Sequence, residues 1–455
     1  MKWYFSPSWY WQNHLSKIKN FYSNWFLVFA IQIALLLILN KIWIIFSIII
    51  FLLLFSLLLI KWNFLIIAIF ISFLVLFLWF FVYYPENNKI DINGQFLVKE
   101  KLKTGIIIEF KQQRIFINTK NEINLNSIVQ IKGIANYPQN KTDFDFVNYL
   151  KSKKVFYIIE KPKELLLISN GKEIQKYIEN YFLINSTKIY QDYIFFLLLG
   201  KNINSNSDFI NLLNRLNILH LFVISGFHVG IFYKILLWIF KKSRHQNDIA
   251  FIFFCVIGFL YLFLINFRLS TLRAYIFFII VFINKKWFYN YLTKIEILAI
   301  TALIFLLHNI FVIFDSSFIF SFVILFFIFL AIKIKFYKKS DQQITIALVA
   351  YFSANLLNIF FNKEINIWGF INNLIFTPII LISFFMSFTL FWWKDLMNIY
   401  FLFLDKIFLF FDKFSLMLNF SFLTKEMIVV IYFLMAILFF VWEIKTKNRK
   451  NIFYF

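Results

Sequence analysis

The chain has 455 residues, of which 61% are hydrophobic and only 15% charged. An ordinary soluble domain carries about 25% charged residues, so this composition excludes a soluble globular enzyme and points to a protein that crosses a membrane several times. Lys and Arg outnumber Asp and Glu by 46 to 23, a net charge of +23, but AT-rich codons and basic cytoplasmic loops both raise Lys, so charge alone does not name a polyanionic partner.

In chain order, residues 1–24 are aromatic and weakly basic, as suits a membrane interface. Three apolar runs follow, near 25–39, 42–60 and 62–83. The first begins near Trp25 and is followed directly by another, so it reads as a span and not as a cleaved leader. With Lys17 and Lys19 inside, three crossings leave Pro85 outside the cell.

Residues 85–188 differ in kind. Charge is dense, and GQFLVKEKL, TGIIIEF, RIFINTK, SIVQIKGIANY and VFYIIE have strand length and β-branched content. KQQR suits a hairpin between two of them. DFDFVNYLKSKK reads as one helix with Asp143 or Asp145 at its N-terminus. Five or six strands and one helix fit a small antiparallel barrel, of which the oligonucleotide-binding (OB) fold is one form. Such barrels hold single strands in a basic groove, and Lys99, Lys101, Lys103, Lys111, Arg114, Lys120 and Lys132 suit that role. The same lysines also fit a plain solvated surface.

Residues 189–217 hold a segment too short to span and an amphipathic helix, NSNSDFINLLNRL, with Ser207 or Asp208 as cap; both suit the interface. Residues 218–240 are as long as a bilayer crossing, yet the first half carries His220, Ser225, Gly226, His228 and Gly230. Polar groups in hydrocarbon are costly and usually face a bundle interior or a wet cavity. Glycines four apart lie on one helix face, where another backbone can come close. Further spans fall near 249–265, 269–284, 294–308, 310–332, 344–361, 366–392 and 425–443, with basic loops on one side. Residues 394–420 repeat an Asp-Lys pair at Asp405-Lys406 and Asp412-Lys413, which puts both pairs on one face of an interfacial or groove-lining helix. The basic tail, 445–455, belongs in the cytoplasm. Span parity places it outside unless 394–420 crosses or a span is re-entrant, with Pro378 as the expected break.

Arg268 and Arg273 flank a span start, and Arg273 lies about a turn inside it. It reads either as a cation meeting an anion in a wet passage or as an Arg snorkelling to the interface. His220 and His228, eight apart, share a face of one continuous helix but are too few for a metal site. Ser225 and His228 are placed like a nucleophile and base, without a third member. His308-Asn309, Asp315-Ser316-Ser317 and Asn372-Asn373 are further polar points at or inside spans, suggesting a shared polar interior. The lone cysteine, Cys255, allows no disulfide framework, Cys-rich zinc site or iron–sulfur site.

FFLLLGKN, LNILHLFVISGFHVGIF, RLSTLRAYIFF and INNLIFTPII are similar, in that order, to the landmarks of the ComEC competence family. The matching positions are Leu198-Leu199-Gly200, His220 to Gly230, Ser270 to Ala274, and Asn373 to Pro378. The soluble segment also resembles that family's OB-like domain. The resemblance implies a polytopic α-helical membrane protein with an inserted small all-β, OB-like extracytoplasmic domain. Its parts would be N-terminal helices (1–84), the OB-like domain (85–188), interfacial helices (189–217) and a channel domain (218–444). It implies translocation of single-stranded DNA across the cytoplasmic membrane during DNA uptake, with no catalytic step and no cofactor. The passage would be lined by His220, Ser225, Gly226, His228, Gly230, Arg268, Arg273, Asn373 and Pro378. Many members end in a metallo-β-lactamase-like nuclease domain. No His/Asp cluster for one follows the last span, so degradation of the non-entering strand needs a separate nuclease or does not occur. No P-loop is present, so the energy comes from a separate cytoplasmic ATPase, from ratcheting by cytoplasmic strand-binding proteins, or from the membrane potential, whose inside-negative sign opposes entry. Two alternatives remain: an intramembrane hydrolase using Ser225 and His228, and a permease for a smaller anion.

Overall fold

The computed structural model describes residues 89–455 except 103, 112, 120–122, 141–144, 170–173, 202–206, 223–225, 244, 335–338 and 452–455. The three expected N-terminal spans therefore lie outside the described residues. Contacts divide the chain into two units, one holding the residues up to Ile174 with Asn284–Ile319, the other holding Gln175–Ile283 with Phe320–Phe455.

The first unit is built on six strands: β1 (Ile90–Leu102), β2 (Gly105–Phe110), β3 (Gln113–Asn118), β4 (Ile128–Ala135), β5 (Val155–Ile159) and β6 (Glu164–Ser169), ordered β5-β3-β2-β1-β4-β6. Pairing is antiparallel except between β3 and β5, which run parallel. Just past β4, Asn136 exchanges backbone hydrogen bonds of 2.9 and 2.8 Å with Ile158 of β5. That bridge joins the two ends, so β1 to β5 close on themselves and β6 adds a sixth strand to β4. The β2–β3 turn falls in KQQR, with Lys111 at φ 46° and Gln113-Arg114 already in β3. Gly105 is obligatory, because a Cβ there would meet the Ile117 carbonyl oxygen at 2.1 Å.

The alternation of β1 and β4 sends Ile92, Val98, Val129 and Ile131 inward, where they meet Ile106, Ile108, Ile115, Ile117, Tyr157 and Ile159. The unbroken apolar run of β2 has a second reason. Its other face, with Phe116, is covered by Leu150 of helix α1 (Phe146–Ser152), so β2 is buried on both sides. Asp145 caps α1, accepting from the Asn148 amide at 3.1 Å, while Asp143 lies outside the described residues. The same unit holds a helix from Lys294 to His308, opened by a Thr293/Glu296 capping box, and a 3-10 turn from Ile310 to Phe314. These pack on α1: Asn309 Nδ2 donates to the Ser152 carbonyl at 2.6 Å, and Phe311 meets Phe156 edge-on at 5.5 Å.

In the second unit come α2 (Ile174–Leu183), α3 (Lys188–Ile194), a π-turn (Phe195–Leu199), α4 (Ser207–Arg215), α5 (Leu219–Phe222), α6 (Gly226–Ile239), α7 (Gln246–Leu264) and most of α8 (Leu269–Lys286). The 294–308 helix is α9, and α10 (Ser316–Lys333) follows across the unit boundary. Then come α11 (Lys339–Asn362), β7 (Glu364–Asn366), α12 (Gly369–Leu390), α13 (Lys394–Asp412), β8 (Met417–Asn419), which pairs with β7, and α14 (Lys425–Asn451).

Four helices among the described residues are long and apolar enough to cross a membrane, within α7, α10, α11 and α12. The 218–240 stretch was expected to be one crossing. Its described residues fall in α5 and in α6, whose 14 residues reach about 21 Å of a hydrocarbon thickness of about 30 Å, and 223–225 lie outside the described residues. The expected 310–332 span begins as the 3-10 turn, because Asp315 accepts from the Ser317 amide at 2.8 Å and starts α10 afresh. Pro378 was expected to break its span. Helix α12 runs through it, with the Thr377 hydroxyl donating to the Asn373 carbonyl, as hydroxyls near Pro in such helices do.

The core of this unit is made where α3 and the π-turn meet α12 and α13. Tyr190, Tyr193 and all of Phe195–Leu199 are buried against Phe376, Ile380, Met397, Phe401, Leu404 and Phe408. Tyr190 and residues 193–199, in the stretch expected at the interface, are buried in this core. Gly200 ends the π-turn at φ 59°. On α13 the seven-residue spacing turns both acids toward this core's partners: Tyr193 Oη donates to Asp405 at 3.5 Å, and Arg215 holds Asp412 at 2.9 and 2.6 Å.

Candidate functional site

The site is built where the first turns of α6 and α8 cross. Arg268 lies just before α8, and its carbonyl accepts from the Leu272 amide, so the helix is already wound where Arg273 projects. Arg273 is 4% exposed. One terminal nitrogen donates to the Ser321 carbonyl of α10 at 3.2 Å, the guanidinium carbon lies 5.8 Å from the Phe322 ring, and Nε has no partner. No carboxylate among the described residues pairs with it. A guanidinium offers five donors and carries its charge at any physiological pH. Buried without a counter-charge, it is costly in the way that marks intramembrane functional residues.

Gly226 makes this burial feasible. A Cβ there would stand 2.8 Å from Arg273 Nη2 and 3.3 Å from Ala274 Cβ. One turn on, a Cβ at Gly230 would meet Phe278 at 3.0 Å. The two glycines thus present one bare face of α6 to α8, and the guanidinium fills the space a side chain would take. His228, on the same helix, is 4% exposed and turns to α12, its ring 4.7 Å from that of Phe384. Three helices therefore converge on the first turn of α6. The arrangement holds donors and a positive charge inside an apolar bundle.

The other expected lining residues fall elsewhere. His220 is exposed on α5, Arg268 is half-buried before α8, and Ser225 lies outside the described residues. Pro378 sits on the exposed side of α12, opposite the buried Asn372, Phe376 and Ile380. Asn373 donates to the Gly369 carbonyl at 2.8 Å and keeps a buried, unpartnered Oδ1.

Sequence reading missed an asparagine cluster that fixes the turn into α5. Asn217, at φ 59°, donates to Asn355 and accepts from Asn358 of α11, each at 3.0 Å. Asn366 donates to the Arg215 carbonyl, and Asn372 to that of Leu216 at 3.0 Å. Single asparagines near helix ends give no warning of this. Only the polar pair Asn372-Asn373 stood out in the sequence.

On the barrel, seven cations were expected to line a groove; Lys120 lies outside the described residues, and Lys132 is 4.0 Å from Glu164. Lys99 pairs with Glu109 at 3.9 Å, and Lys111 stands at the hairpin tip 5.3 Å from the Phe110 ring. Lys101 is exposed on β1, and Lys103 lies outside the described residues. Arg114 turns to Glu100 at 3.6 Å and to the Lys153 carbonyl at 3.2 Å.

Residues 197–446, more than half of the chain, match the Competence protein family. The chain belongs to that family. It is a membrane protein, and the family-level role is in competence, the uptake of DNA. Among curated proteins it is 32% identical over 180 residues to a Mycoplasma pneumoniae protein described as an uncharacterized MG316 homolog, covering 39% of this chain and 45% of that one. It is 31% identical over 173 residues to the uncharacterized protein MG316 of Mycoplasma genitalium, covering 38% and 44%. The chain spans somewhat under half the length of these relatives. No solved structure matches it.

Proposed function

We propose that this Competence-family chain forms a passage that carries single-stranded DNA across the cytoplasmic membrane, with the crossing of α6 and α8 as its narrow point. The reading rests on Arg273, a buried guanidinium with an unpartnered nitrogen and no carboxylate beside it among the described residues. A strand carries one negative charge per nucleotide. Its route must offer cations that bind weakly enough to let it move on. Because His228 and Arg273 pack against phenyl rings, conduction requires α6, α10 and α12 to part.

The barrel is the capture element on the outer side. Its five closed strands support an OB-like assignment, since that fold is a five-stranded Greek-key barrel that binds oligonucleotides. Inside-negative potential opposes DNA entry, so a separate ATPase or cytoplasmic strand-binding proteins supply the drive. No covalent chemistry is assigned to the chain.

The test is import of a labelled strand into cells. Arg273→Ala and His228→Ala are each expected to abolish import while the protein stays in the membrane at normal level. Normal import in both would overturn the assigned route.

A further inference from the structure

The sequence placed Lys153 and Lys154 at a helix end and gave them no role, yet the fold gathers them with Arg114. Arg114 of β3 and Lys153 both reach the single carboxylate of Glu100 on β1, at 3.6 and 3.7 Å, and Arg114 also donates to the Lys153 carbonyl. Lys154 follows at φ 61°, which turns the chain out of α1. Burial and the neighbouring Arg114 charge hold its ammonium below the ordinary lysine value. The buried hydrogen bond from Asn309 to the Ser152 carbonyl sets the end of α9 against this turn. His308 therefore stands beside the group and feels both the Lys154 and Arg114 charges. The acids nearby are Glu100, in direct contact, and Asp315, whose charge is felt with that of Lys153 at Tyr149.

We propose that Arg114, Lys153 and Lys154, with His308 at their edge, bind the phosphodiester backbone of a single strand, and that Glu100 occupies the site in the free protein. The inference rests on the reading of this chain as a DNA carrier and says where on the barrel the strand is held. Two cations share one carboxylate and Lys154 adds a third charge beside Arg114, an excess of positive charge that one or two phosphates would neutralise. The Arg fork matches phosphate oxygens, and two lysines add point charges. Charge-assisted bonds of good geometry run to about 2.7–2.9 Å, so the contacts to Glu100 are long and exchangeable. The Glu100 side chain is 34% exposed and can swing to solvent when a phosphate arrives. An exposed ring for a base is present on the same unit: Tyr137, with the Lys151 ammonium 5.5 Å from its centre.

The experiment uses the full chain in nanodiscs of zwitterionic lipid. A fluorescent twenty-nucleotide oligothymidylate is titrated at several salt concentrations. Arg114→Gln with Lys153→Gln is expected to weaken binding about tenfold near 0.1 M salt and to reduce the slope of log affinity against log salt by about 1.4, two phosphate contacts at about 0.7 each. Glu100→Gln should tighten binding about threefold, since it frees both cations. A misfolded variant cannot produce that gain. Lys161→Gln, exposed between β5 and β6, should change affinity less than twofold. Unchanged affinity in both the double variant and Glu100→Gln, with the wild type binding, overturns the site but leaves the transport reading standing. No binding by the wild type overturns both. If the variants lose only retention of the protein's anionic lipid, measured in anionic discs, the group is a lipid site and the proposal fails.

Discussion

Gly226→Ala tests the central packing claim most directly. The new methyl would stand 2.8 Å from Arg273 Nη2 and 3.3 Å from Ala274 Cβ. The guanidinium must shift, and its bond to the Ser321 carbonyl is lost or bent. Overpacking of a filled interior costs about 1–3 kcal/mol. A hydrogen bond from a charged donor contributes about 1.5–3 kcal/mol more. Against this, Ala is favoured over Gly in a helix interior by about 0.8–1 kcal/mol, and Gly226 is the first residue of α6, where that gain is smaller. Overpacking wins, so Gly226→Ala should destabilise by about 2–4 kcal/mol in all. Arg273→Lys removes Nη2 from the space the methyl needs. In that background the Ala substitution should cost only about 1 kcal/mol, leaving a coupling energy of about 1–3 kcal/mol. The assay is thermal or denaturant unfolding of the four purified proteins in one detergent. Additive effects, or a wild-type midpoint for Gly226→Ala, would refute the idea that this glycine exists to seat the guanidinium.

The asparagine cluster and the surface ion pair give two further expectations. Asn217→Ala removes a donor and an acceptor and replaces an Asn, which tolerates φ 59°, with an Ala, which tolerates it less well; it should destabilise by about 2–4 kcal/mol, while Asn217→Gly, free of the conformational strain, should unfold at a higher temperature than Asn217→Ala. Hydrogen bonding from Arg215 holds the Asp412 carboxyl below its ordinary range. A depressed pKa contributes stability above the unfolded value of about 4 and loses it as pH falls through the folded value. Midpoints measured between pH 6 and 3 should therefore drop more steeply in the wild type than in Asp412→Asn, and parallel curves would show that the pair contributes nothing.

Local rules were written plainly in this chain. Asp145 before an amphipathic run announced the α1 cap, KQQR announced the β2–β3 turn, and the apolar-alternating runs announced the first five strands. Gly226 and Gly230, four apart, announced the bare helix face, and the acids seven apart on α13 announced a shared face. Each of these follows from the helical or strand period within about a dozen residues. The sixth strand that the sequence allowed for was not placed at Glu164–Ser169, because ELLLIS is a short apolar run with no alternation to read. Hydropathy also joined what the fold divides: an apolar window looks the same whether it holds one helix or a 3-10 turn followed by a new helix start, as at Ile310–Phe314.

The sequence by itself determined that this is a membrane protein carrying a small β domain, and it singled out Arg273 and the two glycines of α6. Only the tertiary structure decided that the guanidinium lies on Gly226 under the Ser321 carbonyl, that β3 and β5 pair in parallel, and that Asn217 is gripped by residues 138 and 141 positions away. The reason is range. Composition and period report what each segment can bury, whereas a buried charge, a parallel strand pair or an amide cluster is satisfied by partners that share no local pattern with it.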